Sequence, residues 1–226
     1  MKMRPKLVGL QNQNSLEGDL LSKLWAELQY RRGKPESDLI SCELGVQFCT
    51  KPQRISSVVF NQPAALMVIS GRKEIHVGNN VTIAQAGQML IVPADAKVWM
   101  AKFPDEKTGE YQGLGLRFDL DTIAQFQYLY GKSMDSWVME PNWNSKISDG
   151  ILEWVLQWLN WSRRFPGSTQ VQRHRLIELL LLFAQSGVAG NLLLGKNPSF
   201  RQRVVQILYM DPSKDWRCAR LATPGP

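Results

Sequence analysis

Eight short apolar runs occupy residues 40–118, and they restrict the fold more than any other feature of the sequence. Each run is under ten residues long, is rich in Val, Ile or Phe, and is separated from the next by turn-forming residues. Between Val77 and Val81 the sequence reads GNN, whose residues tolerate a positive φ, so a tight hairpin is predicted. Gly71 and Gly87 mark further turns. Closely spaced antiparallel strands of this kind predict a sandwich or a barrel.

Helical patterns lie on both sides of this strand region. Before it, residues 15–32 repeat leucine every four positions, which predicts a helix packed on the main domain. After it, apolar stripes of helical period predict helices at 121–131, 149–164, 168–187 and 199–210. The predicted fold class is therefore α+β, with the helical segment following the strands.

The helix predicted at 168–187 is apolar on most of its sides, so it needs cover on most of its sides. Its apolar positions include Leu176, Ile177, Leu179, Leu180 and Phe183. One face can pack on the strand domain. The other face can meet either the preceding helix or the same helix of a second subunit, and the second alternative makes those five residues the contact of a homodimer.

The charge of the chain indicates which class of partner it could bind, and its cysteine content indicates the cellular compartment. The formal net charge is +7 and the isoelectric point is about 9.4, which favours nucleic acid or another acidic partner. The three cysteines form no CxxC pair, so a disulfide framework is not expected and the protein is interpreted as cytosolic. The longest apolar run, LLLLFA, is too short to span a bilayer, so a soluble protein with no membrane contact is expected.

Motifs for metal binding and catalysis are missing from the sequence. The two histidines, His76 and His174, show no metal-ligand spacing, and no GxSxG, GxGxxG or GxxxxGK[ST] motif occurs. No metal, no cofactor and no enzymatic activity are therefore predicted. The alternative is a metal-free enzyme or isomerase, whose available ionisable groups would be Glu74, His76, Tyr111 and Arg117.

The order of strand and helix patterns along the chain resembles that of the AraC/XylS family of transcription regulators. The strands carry AQAGQMLIVPAD at residues 84–95, the helices follow, and WRCARLA stands at 216–222 after a basic helical segment. The resemblance covers the chain from about residue 55 onward, and it is similar in style to members that control virulence and secretion genes.

The resemblance implies a division into four parts. These are an N-terminal helical extension at 1–36, a cupin-like antiparallel β-barrel at 37–120, a helical dimerisation segment at 121–190, and an incomplete start of the helix-turn-helix domain at 198–226. Catalytic cupins place a metal-binding histidine shortly after the proline that stands here at Pro93, whereas this chain has Val98 and Trp99. That departure implies a barrel without a metal.

The barrel implied by the family would receive a small apolar effector or a regulatory protein. The inward positions predicted to line its pocket are Met67, Ile69, Ile75, Val77, Ile83, Met89, Ile91 and Trp99. The alternative is that these side chains simply fill the barrel. The sequence does not identify the effector, and it leaves activation and repression equally open.

DNA contacts are implied for the basic end of the sequence. Arg201, Arg203 and Arg217 belong to a segment, 198–226, that carries five basic residues against two acidic ones. The second helix-turn-helix unit has no recognition helix after TPGP, so the full DNA-reading module is expected to be lacking. The predicted function is the effector-sensing and dimerising part of a regulator. A further alternative is a fragment that pairs with a full-length relative and inhibits it.

Overall fold

The computed structural model of the chain describes residues 10–31, 44–134, 142–165 and 168–193. Five helices are seen in these ranges: α1 (Leu10–Arg31), α2 (Leu120–Met134), α3 (Asp149–Arg164), α4 (Thr169–Gln185) and the short α5 (Gly190–Leu193). The nine strands are β1 (Leu44–Cys49), β2 (Gln53–Phe60), β3 (Ala64–Ser70), β4 (Arg72–Val77), β5 (Asn80–Gln85), β6 (Gln88–Val92), β7 (Ala96–Phe103), β8 (Tyr111–Arg117) and β9 (Asn144–Lys146).

The strands form two antiparallel sheets that face each other. The first sheet has the order β1-β8-β3-β6-β9, and the second has the order β2-β7-β4-β5. The predicted α+β class and cupin-like architecture are confirmed, but the described strands form a two-sheet sandwich and not the closed barrel that was expected. Closure fails because β1 and β2, which follow each other in the chain, pair with β8 and β7 and not with each other.

Turn chemistry accounts for the strand boundaries. Gly78 has φ +58° in the hairpin between β4 and β5, and Gly71 and Gly87 have φ values of +82° and +81° at the other two predicted turns. All three turn predictions are therefore confirmed. The sequence did not predict β9, because its three residues carry no apolar side chain that would reveal a strand.

The first sheet is covered on both faces. Every residue of its central strand β3 is buried. Side chains such as Leu66 and Leu90 point toward the second sheet and pack with Ile75 and Val98. The residues that alternate with them point away from the second sheet and form the larger apolar core with the helices.

The helices form a layer on that outer face of the first sheet. Leu24 and Leu28 of α1 are fully buried in the larger core, which confirms that the N-terminal helix packs on the main domain. Glu178 of α4 accepts a hydrogen bond from the Trp154 indole of α3 at 3.2 Å, and Arg175 of the same helix α4 donates to this carboxylate at 2.6 Å. The α2 helix begins after Asp119, whose carboxylate accepts the Thr122 backbone N–H at 2.8 Å, as expected for a cap.

Asn191 fastens the last described segment to the first sheet. Residues Gly190–Leu193 form the short helix α5, and all four are buried. The buried Asn191 amide donates to the backbone oxygens of Ile91 and Asn142, both at 2.9 Å. This places the chain beside β6 immediately before the segment for which DNA contacts were predicted. Residues 1–9 and 194–226, with Arg201, Arg203 and Arg217, lie outside the described residues. The four predicted domain boundaries remain predictions.

None of the helices described here combines the length and the apolar character needed to cross a bilayer.

The glycine at position 113 supplies a stability test. A Cβ atom added there would stand 2.5 Å from the Tyr111 hydroxyl oxygen and 2.9 Å from the Met67 carbonyl oxygen. We expect Gly113→Ala to lower the free energy of unfolding by about 2 kcal/mol, because one of the two clashing atoms belongs to the backbone. Gly45→Ala is the matched control on the neighbouring strand, since no heavy atom lies within 4 Å of its added Cβ. Urea denaturation of both variants measures the difference, and equal midpoints would contradict the expectation.

Candidate functional site

Two lysines face each other inside the sandwich. Lys73 of β4 stands directly opposite Lys102 of β7 in the second sheet. Lys73 alternates with the inward-facing Ile75, and Lys102 alternates with Met100, so both side chains point toward the first sheet. The exposed fractions are only 2% for Lys73 and 8% for Lys102. A pair of lysines at such burial is unusual.

Polar and aromatic groups of the first sheet surround this lysine pair. The Lys73 ammonium donates a hydrogen bond to Gln47 Oε1 at 2.9 Å. The Tyr111 ring lies under both ammonium groups, with its centroid 5.9 Å from Lys73 Nζ and 6.0 Å from Lys102 Nζ. Cys49, also buried, interacts electrostatically with both lysines. These five residues are called the lysine cluster below.

No carboxylate of the described residues neutralises the cluster. Among the described residues, neither Lys73 nor Lys102 forms an ion pair, and Lys102 forms no hydrogen bond. Burial and then the neighbouring Lys102 ammonium lower the pKa of Lys73 to about 7. Burial raises the pKa values of the Cys49 thiol and the Tyr111 hydroxyl, so both groups stay neutral near pH 7. The only charges in the cluster are therefore positive.

Two glycines face each other across the ladder at the β1 edge of the first sheet. Gly45 is exposed, and the space where its Cβ would stand contains no heavy atom within 4 Å. Its partner across the ladder is Gly115 of β8, which faces the interior beside Leu66 and Gln47. Among the described residues, neither position of this pair carries a side chain.

A cavity of about 570 Å³ lies at the end of the sandwich remote from the lysine cluster. It is lined by Val58, Val59, Phe60, Asn61, Gln62, Arg117, Asp119, Leu120 and Asp121. Val58 and Phe60 also pack on the core between the sheets, so this cavity adjoins the sandwich interior. Its volume is in the range of small-molecule sites.

The eight predicted pocket residues are not brought together. Met67, Ile69, Met89 and Ile91 lie on the helix-facing side of the first sheet. Ile75 and Val77 face the interior of the sandwich. Trp99 lies beside His76 on the outer face of the second sheet, with ring centroids 3.9 Å apart, and Ile83 is 42% exposed. The apolar pattern of the sequence could not show which face of the sheet each of these side chains occupies, because β3 and β6 are buried on both faces.

The five predicted dimerisation residues are all buried within one chain. Leu176, Ile177, Leu179, Leu180 and Phe183 belong to the larger core, and Phe183 contacts Phe118 at a centroid distance of 6.0 Å. Their burial corresponds to the intramolecular alternative for this helix. Their role in joining two copies stays a prediction.

The groups weighed for an enzyme do not converge. Glu74 and His76 lie on the outer face of the second sheet, 3.5 Å apart, whereas Tyr111 is inside the sandwich and Arg117 borders the cavity. Within the described part of the chain, no three His, Cys, Asp or Glu side chains are grouped so as to hold a metal ion. The lysine cluster was missed, although the alternation of Lys73 with Ile75 and of Lys102 with Met100 could have indicated it.

Comparison with known proteins gives a family match and several similar solved structures. The family model described as AraC-type transcriptional regulator N-terminus matches residues 43–163. The curated protein sequences gave no match. Among solved structures, the chain is similar to an apo variant of ToxT from Vibrio cholerae, with 7% identity, coverage of 79% of this chain and 68% of that chain, and a TM-score of 0.50. Wild-type ToxT with a bound unsaturated fatty acid shows 10% identity, 80% and 68% coverage, and a TM-score of 0.49. At such identities the likeness concerns the fold.

The lowered pKa of Lys73 predicts how stability changes with pH. Below pH 7 the folded and unfolded chains both hold the proton, whereas between pH 7 and the unfolded value of 10.5 only the unfolded chain does. The free energy of unfolding therefore rises with pH in that window. From pH 7 to pH 9 we expect Lys73 to contribute an increase on the order of 2 kcal/mol, which Lys73→Met abolishes.

Chemical denaturation at pH 6, 7, 8 and 9 measures this difference. The range ends at pH 9 because the raised pKa of Cys49 gives the opposite slope above it. Lys97→Met, at an exposed position of the same second sheet, is the control and should keep the wild-type slope. We also expect Lys73→Met to be the more stable protein at pH 6, because an apolar side chain replaces a buried unpaired charge. Parallel pH profiles for the wild type and Lys73→Met would refute the assignment.

Proposed function

The chain belongs to the family of AraC-type transcriptional regulators, whose N-terminal domain spans residues 43–163, and from this we propose that it senses an effector for such a regulator. The family resemblance identified in the sequence is thus confirmed. The family match carries the proposal, because it covers all nine strands and both sides of the sandwich interior. The effector would enter beside the exposed Gly45 of β1 and lie between the sheets.

The helix layer offers a route from the effector to the DNA-reading segment. The first sheet separates the sandwich interior from the helices, so a shift of β6 reaches both layers. Asn191 connects β6 to α5, and Gln127 of α2 donates to the backbone oxygen of Leu193 at 3.3 Å. We propose that these bonds pass the state of the sandwich to the segment beyond residue 193.

The chemistry of the lysine cluster is more consistent with a regulator than with an enzyme. An amine with a pKa near 7 can act as a nucleophile, so Lys73 has some chemical capacity. However, no histidine or carboxylate of the described residues faces it to move protons. Binding without bond-making is the simpler role. We propose that the protein acts together with its DNA in the cytoplasm.

Self-association through the helix layer is the first consequence to test. Tyr128 and Leu129 of α2 are adjacent and more than half exposed, so they offer apolar surface that the buried residues of α4 do not. We expect the full chain to sediment as a dimer at micromolar concentration and Leu129→Glu to shift it toward monomer. Val81→Glu, at an equally exposed position of β5, should leave the dimer intact. Wild-type monomer at concentrations well above micromolar would count against the dimer.

DNA binding through the basic segment is the second consequence. We propose that Arg201, Arg203 and Arg217 contact phosphates, because residues 198–226 carry five basic residues and two acidic ones. Replacing all three by Gln should reduce the slope of log affinity against log salt by about 3, which fluorescence anisotropy with duplex DNA can measure. Replacing Arg54, Arg72 and Arg173 by Gln is the charge-matched control. A slope unchanged by the first set would show that the segment does not contact DNA.

A further inference from the structure

We propose that the cavity at the end of the sandwich binds a small zwitterion, of the class of an apolar α-amino acid. This is the cavity of about 570 Å³ that lies remote from the lysine cluster. Arg117 would hold the carboxylate of the zwitterion, and Asp121 would hold its ammonium group. The site goes beyond the proposed function, because it gives the sensing domain a second ligand of different chemistry.

Backbone hydrogen bonds fix the two walls of this cavity relative to each other. One wall is the loop between β2 and β3, at whose start the Phe60 carbonyl oxygen accepts the Asp95 N–H at 2.7 Å. At the end of that loop, the Pro63 carbonyl oxygen accepts the Phe118 N–H at 3.0 Å. Phe118 belongs to the other wall, the turn between β8 and α2. A cavity that is shaped before binding lowers the ordering cost of a ligand.

Opposite charges line the cavity, and a carboxylate among them has no partner. Arg117 points toward the side of the second sheet, since its ladder partner Ala64 packs in the core between the sheets. Asp119 accepts hydrogen bonds from the backbone N–H and the hydroxyl of Thr122, so the cap of α2 uses it. The Asp121 carboxylate forms neither a hydrogen bond nor an ion pair with any residue that the structure describes.

The balance of charge selects the class of ligand. The lining contains one guanidinium and two carboxylates. The first turn of α2 adds about half a positive charge from the helix dipole, so the sum is close to zero. A simple anion or a simple cation gains little from such a lining, whereas a molecule that carries both charges can pair with each.

Arg117 has enough donors for this role. It already interacts with another part of the chain. A guanidinium carries five N–H donors, so one existing interaction leaves donors that can bind a carboxylate.

Amide and apolar side chains complete the lining. The side-chain amides of Asn61 and Gln62 form no hydrogen bond within the described ranges of the chain, and an amide can donate to a carboxylate or accept from an ammonium. Val58, Phe60 and Leu120 supply apolar surface for the body of the ligand. The volume of the cavity accommodates an amino acid with an aromatic or branched side chain.

A ligand in this cavity would stabilise the start of α2. Leu120 is the first residue of that helix and Asp121 is the second. The same helix carries the exposed Leu129, and its Gln127 donates to the Leu193 backbone oxygen. The zwitterion therefore acts on the helix for which self-association and contact with the last described segment are proposed.

Calorimetric titration of the full chain tests the site with three probes of similar shape. L-Phenylalanine carries both charges, 3-phenylpropionate carries only the carboxylate, and 2-phenylethylamine carries only the ammonium. We expect L-phenylalanine to bind about tenfold more tightly than either of the others, because it alone pairs with both Arg117 and Asp121.

Two variants separate the contributions of the two charges. Asp121→Asn should weaken L-phenylalanine binding by about tenfold and leave 3-phenylpropionate binding unchanged. Arg117→Gln should weaken L-phenylalanine binding similarly and leave 2-phenylethylamine binding unchanged. Glu106→Gln and Arg54→Gln, at exposed positions outside the cavity, are the matched controls and should bind all probes as the wild type does. Circular dichroism checks that the variants are folded.

Three results would overturn the zwitterion site. They are no binding of L-phenylalanine or L-leucine at millimolar concentration, binding of a singly charged probe as tight as that of L-phenylalanine, and unchanged selectivity in both cavity variants. Any of them would leave the proposed function intact, since the effector between the sheets uses other residues. Conversely, loss of dimer formation and DNA binding in the tests above would remove the regulatory role and leave this site standing.

Discussion

The burial of the first sheet on both faces is the constraint on which the rest of the structure depends. One face packs on the second sheet and the other on α1, α3 and α4. Because β3 has no exposed residue, a change on either side is transmitted to the other through tightly packed side chains. The first sheet thus separates the sandwich interior from the helix layer and contacts both. A sensing domain needs such an arrangement.

The lysine cluster does not stabilise the core in the way that apolar residues would. A core built only for stability would place apolar residues where Lys73 and Lys102 stand, since buried charges rarely add to stability. They stand between the sheets, next to Gln47 and above Tyr111, so this end of the sandwich interior is polar.

Local sequence patterns predicted the elements well and the site poorly. The helix predicted at 149–164 has those bounds, and the turns at Gly71, Gly78 and Gly87 follow from residues that accept a positive φ. The pocket residues could not be predicted, because Met67 and Leu66 are both buried and only the tertiary structure decides which one faces the second sheet. The alternation of Lys73 with the apolar Ile75 could have indicated that this lysine faces inward. However, a lysine in a short strand is normally interpreted as solvent-facing.

The buried Cys49 can report how often the sandwich opens. Its thiol has a raised pKa because of burial, so the reactive thiolate is scarce and shielded while the sheets are together. An alkylating reagent can therefore reach the sulfur chiefly during excursions that part β1 from the second sheet. The rate of its modification is a direct measure of how often the interior is accessible to any molecule that must enter it.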